Sequence, residues 1–160
     1  MINDIFMSAL LIFSFILFLF HIFSLRAIFK TGGWGAAADN TKMIEEIKNE
    51  VREEDKDIPV VFALPIIIIV LLSLIELGYY FFAVYILNDN LIIAGASVLV
   101  GFHIYSLIKF FPRIKIFFHK PLDFLKEKTE PFENITNAIM AILEILFCLY
   151  VIIKIILKTN

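Results

Sequence analysis

Four apolar stretches, at about 5–28, 60–87, 91–111 and 135–157, fill most of this 160-residue chain. An α-helix rises about 1.5 Å per residue, so about 20 apolar residues match the hydrocarbon thickness of a bilayer. Within hydrocarbon, every backbone N–H and C=O must find its partner in the protein, and a single span achieves this only as a helix. The expected fold is therefore all-α: an integral membrane four-helix bundle forming one domain over 1–160. Long connections are expected at 29–59 and 112–134, with a tight turn at 88–90 and Pro112 ending the third span.

Composition agrees. Hydrophobic residues make up 61% of the chain and charged residues 19%, and the mean hydropathy is +0.90. A water-soluble domain of this length has too much surface for its volume to hide so much apolar side chain. The net charge of −2 provides no basic field for nucleic acid. Cys148 is the one cysteine, so neither an internal disulfide nor a cysteine metal cluster can form. The apolar run from Ile5 to Leu25 is too long for a signal peptide. Asp4 precedes it with no basic residue, and Arg26 and Lys30 follow, so a retained first span is expected.

Basic residues set the expected orientation. Arg26, Lys30, Lys42, Lys48, Arg52 and Lys56 flank or occupy the first long connection. Lys109, Arg113, Lys115, Lys120, Lys126 and Lys128 do the same for the second, leaving only Lys154 and Lys158 near the C-terminal end. Positive charge collects on the cytoplasmic side of a membrane. Both connections are therefore expected in the cytoplasm and both termini outside, as a multi-pass protein of a prokaryotic plasma membrane. In the first connection, Asn40 or Thr41 can cap a short charged helix running to about Asp55. In the second, Arg113, Lys115 and Lys120 alternate with bulky apolar residues and are candidate contacts for lipid headgroups.

Polar residues inside the spans are few, and such residues usually face the bundle interior. Helical spacing puts Ser73, Glu76 and Tyr80 on one face of the second span, and Asn137 and Glu144 with Cys148 on one face of the fourth. His103 lies with Ala96 and Ser106 in the third, and Ser14 with His21 in the first. Depth along the helices allows a ladder from His21 through His103 and Glu144 to Glu76. Carboxyl and imidazole groups in apolar surroundings suit proton or cation coupling, and equally suit hydrogen bonding that merely ties helices together. Ala94, Ser97 and Gly101 form a separate small-residue face on the third span, suited to close helix packing or a dimer seam.

No phosphate loop, nucleophile elbow or metal-ligand spacing is visible, so no catalytic residue, cofactor or metal is expected. Two functions remain. The preferred expectation is a non-enzymatic accessory, regulatory or immunity-type subunit, acting through helix packing and the charged cytoplasmic helix, with the bilayer and a protein partner or second copy as its contacts. The alternative is an oligomeric small transporter or channel that uses the intramembrane Glu and His residues for proton or cation coupling.

Overall fold

The computed structural model describes residues 2–31, 60–119 and 131–159. Apart from a two-residue link at Asn88 and Asp89, all of them are helical. The helices are α1 (Ile2–Thr31), α2 (Val60–Leu87), α3 (Asn90–His119) and α4 (Pro131–Thr159). Each is long and apolar enough to cross a membrane. The charged helix expected after Asn40, and Lys120 with its neighbours, lie outside the described residues. Arg113 and Lys115 belong to α3, and their side chains lie outside the description.

One boundary differs from the expectation. Pro112 does not end the third helix, which runs through it to His119. Proline removes one backbone donor, here the bond to the Ile108 carbonyl, and crowds the preceding turn. In a helix of 30 residues, that single loss is outweighed by the bonds on either side. The segment 112–119, read as connection, is therefore helix.

The α2–α3 turn is built by capping. Asn88 takes a left-handed conformation with φ of 44°, which asparagine tolerates better than most residues. Its N–H bonds the Val84 carbonyl at 3.0 Å, closing the end of α2. Asp89 then caps α3: its Oδ1 accepts from the N–H groups of Leu91 (3.0 Å) and Ile92 (3.3 Å). Asp89 also reaches α4. Its Oδ2 pairs with Lys154 Nζ at 2.8 Å, and the Tyr150 hydroxyl donates to Oδ1 at 3.2 Å.

Neighbouring helices pack in the order α1–α2–α3–α4, and α4 closes back extensively on α1. Among the described residues α1 and α3 do not touch and so stand diagonally opposite. Phe6 of α1 meets Phe82 of α2, and His21 meets Glu76, so the two helices run antiparallel. The close approach of α3 to α4 depends on Gly95, where an added Cβ would lie 2.9 Å from Phe147 Cδ2. The small-residue face expected to pack is elsewhere. Ala94, Ser97 and Gly101 are exposed, and nothing lies within 4 Å of a Cβ built at Gly101. Within one protomer that face is unused.

The bundle is apolar outside, and its largely apolar core encloses a few polar side chains. Ile, Leu and Phe residues crowd the exposed surface, while the buried polar residues among those described are Ser14, His21, Glu76, His103 and Glu144. This arrangement is what hydrocarbon solvent favours.

The Asp89 cluster gives a pH-dependent prediction. The hydrogen bond from Lys154, helped by the two backbone N–H groups, holds the Asp89 carboxyl below its ordinary 3.8. A lowered native pKa means that the stabilisation is complete at neutral pH and is lost as pH falls through the native value. Asp89→Asn should melt below the parent at pH 7 in detergent. The gap should close in acid, and a gap that widens in acid would refute the assignment.

Candidate functional site

Each helix sends one titratable side chain to the same point. His21 comes from α1, Glu76 from α2, His103 from α3 and Glu144 from α4, and the four are only 3–7% exposed. Sequence depth suggested a ladder; the structure instead gathers them into a compact cluster. Long Glu and His side chains absorb the few ångströms by which their backbone positions differ.

The contacts are short and crowded. His21 Nδ1 lies 2.9 Å from Glu144 Oε2, and His21 Nε2 lies 3.9 Å from Glu76 Oε1. Three oxygens surround His103 Nε2: Glu144 Oε1 at 3.0 Å, Glu76 Oε2 at 3.3 Å and the Tyr80 hydroxyl at 3.3 Å. The Tyr80 hydroxyl carries a donor of its own, so the competition for the single Nε2 proton is between the two carboxylates. His21 Nε2 is buried and has no hydrogen-bond partner. A polar atom left so is costly.

The two sides of the cluster differ. Toward the α2–α3 turn it is roofed by aromatic rings. Phe147 stands edge-on to Tyr79 (6.1 Å between centroids) and Tyr80 (5.4 Å), and Phe13 stacks on Tyr79 at 6.4 Å. Beneath this roof, Tyr79 donates to Ser14 Oγ at 2.9 Å, and Ser14 donates to the Leu10 carbonyl at 2.7 Å. Toward the long connections, the half-buried Ser24, Ser73 and Asn137 lie a turn or two away, among the buried apolar side chains of Ile28, Met140 and Ala141. Cys148 is buried against the roof side of the bundle.

Most residues singled out from sequence thus have a definite place. Glu76, Glu144, His103, His21 and Tyr80 meet directly. Ser73 and Asn137 flank the meeting point on the connection side without a hydrogen bond to it among the described residues. Ser106 is exposed and takes no part. Sequence reasoning missed Tyr79 as the partner of Ser14, although Tyr79 is adjacent to Tyr80. It also missed the clamp of Asp89 on Lys154, which N-cap rules together with helix lengths could have placed at one level. The absence of metal-ligand spacing within any one segment is real. The ligand types nevertheless converge, because the fold supplies one from each helix. Comparison with protein-family models, curated proteins and solved structures gives no match.

The cluster and the Ser14 chain should respond differently to truncation. Glu144→Ala strips both imidazoles of a partner and should destabilise by about 3–5 kcal/mol, as for a broken buried ion pair. Tyr79→Phe removes one neutral bond and should cost about 1 kcal/mol. Unfolding in mixed micelles measures both, and equal small effects would mean that the cluster carries no buried charge.

Proposed function

We propose that this chain is a small, non-enzymatic, multi-pass protein of the cell membrane that accepts and passes a cation at its Glu76–His103–Glu144–His21 centre. The single observation carrying this reading is the convergence of two carboxylates and two imidazoles, one per helix, in the middle of an apolar bundle. A clasp made only for stability needs nothing more than neutral bonds of the Ser14–Tyr79 kind. Ionised carboxylates at that depth cost several kcal/mol each unless positive charge joins them. Two carboxylates are neutralised by two positive charges, whether protons on the carboxyls or the imidazoles, or a metal ion. The centre is thus built to take up positive charge.

The accessory-subunit reading draws on the charged segment 42–57, which lies outside the described residues, and it leaves the buried quartet without a use. Passage therefore displaces it as the better-supported reading. The basic residues favour placing both long connections in the cytoplasm and both termini outside. In that orientation the half-buried Ser24, Ser73 and Asn137 line the cytoplasmic approach and the aromatic roof faces outward. The exposed Ala94–Ser97–Gly101 face is where a second copy would approach most closely.

Two measurements test this reading. In reconstituted vesicles, the parent should pass protons or metal cations, and Glu144→Gln, which keeps shape and removes charge, should reduce the rate at least tenfold. A parent that passes neither refutes the reading. For orientation, a cysteine placed at Trp34 in a Cys148→Ser background should resist an impermeant maleimide added to intact cells. Rapid labelling from outside would invert the assigned topology.

A further inference from the structure

The strongest unexplained features of the cluster are the crowding at His103 Nε2 and the orphaned Nε2 of His21. Both point to an ion. One donor atom from each of Glu76, His103 and Glu144 can be chosen so that all three lie within 4.8 Å of one another. Ligands at about 2.1 Å from a tetrahedral metal ion stand about 3.4 Å apart. The distances from His103 Nε2 to Glu144 Oε1 (3.0 Å) and Glu76 Oε2 (3.3 Å) already match that spacing. An ion in their midst would be shared by both carboxylates and the imidazole, where a single N–H must choose between them.

We infer that Glu76, His103 and Glu144 are the ligands of one divalent transition-metal ion, of the Zn²⁺ or Fe²⁺ kind, held between the helices, with His21 orienting Glu144. The inference rests on the cation-handling reading of the same centre and names the cation. Donor chemistry selects the class. One imidazole with two carboxylates suits zinc and ferrous iron, whereas Ca²⁺ asks for six to eight oxygens and Cu⁺ prefers sulfur. Three protein ligands leave a coordination position open, as in sites that exchange what they bind.

His21 takes the supporting role. Its Nδ1–H donates to Glu144 Oε2 (2.9 Å), the carboxylate–histidine bond that fixes a ligand's orientation. The proton on Nδ1 leaves a lone pair on Nε2. That atom is buried, without a hydrogen-bond partner, and lies 3.9 Å from Glu76 Oε1. Charge also balances, since one divalent ion neutralises two carboxylates beside neutral imidazoles.

The test uses Co²⁺, which reports zinc-type sites by its visible absorption. The full-length protein, purified in mild detergent and stripped with a chelator, should take up one Co²⁺ per chain with bands of four- or five-coordinate geometry, and Zn²⁺ should bleach them. His21→Phe should weaken binding about 10–100-fold. Glu76→Gln and His103→Gln should weaken it further, and Cys148→Ser should leave it unchanged. Because a ligand variant can misfold, Zn²⁺ should also raise the melting temperature of the unaltered parent. Folded parent that neither absorbs nor is stabilised overturns the inference, as does uptake unaffected by Glu76→Gln and Glu144→Gln. Proton flux that survives chelation but is lost in Glu144→Gln would overturn the metal while sparing the cation reading. Metal uptake without flux of any ion would keep the metal and overturn passage.

Discussion

Charge in hydrocarbon has no solvent to hold it, and that constraint organises this protein from the centre outward. Four helices can expose Ile, Leu and Phe on every outer surface because the surrounding medium is as apolar as they are. The same medium makes two carboxylates expensive anywhere except where other side chains meet them. Glu76 and Glu144 are therefore met from α1 and α3 by His21 and His103, and the helices must pack closely enough for those contacts to form. Gly95 against Phe147 and the α1–α4 seam make that closeness possible. The cluster and the packing are two descriptions of one requirement.

The capped turn serves the same end. Asn88 and Asp89 close α2 and start α3 with two residues, which fixes the register of the two helices at that end. Asp89 then holds Lys154, tying α4 to the same level. With α2, α3 and α4 pinned at the turn, Glu76, His103 and Glu144 arrive at a common depth about three turns away. His21, from the one helix not joined to that turn, reaches the cluster through its packing on α4. A slip of one helical turn in any member would carry its ligand about 5.4 Å away and empty its place.

Hydropathy alone made the four helices legible, because twenty apolar residues have one solution in a bilayer. It also made the members of the cluster legible, because an ionisable residue at membrane depth stands out against Ile and Leu. Their mutual geometry was not legible. Sequence depth arranged His21, His103, Glu144 and Glu76 as a ladder, since it measures position along an axis and says nothing of how far each side chain reaches across it. Pro112 does bound the membrane-length apolar run, Asn90–Pro112, but not the helix, which continues to His119: the rule that proline ends helices is local, while the helix around it is long. Ala94, Ser97 and Gly101 are exposed within one chain: a small-residue face says that something can approach closely, not whether it is a helix of the same chain or of a second copy. The glycine that is used, Gly95, lies one position away on another face.

The asymmetry around the cluster bears on how an ion would move. Tyr79, Tyr80 and Phe147 close one side with edge-on rings whose displacement would break the Tyr79–Ser14 bond and uncover Ser14, which is fully buried. On the other side, Ser24, Ser73 and Asn137 are half-buried and can hydrate without breaking any bond to the quartet. The outward Ala94–Ser97–Gly101 face lies on α3, the helix that carries His103. A copy packed there would press on the backbone supporting the ligand itself, giving a close-packed neighbour a direct mechanical route to the centre.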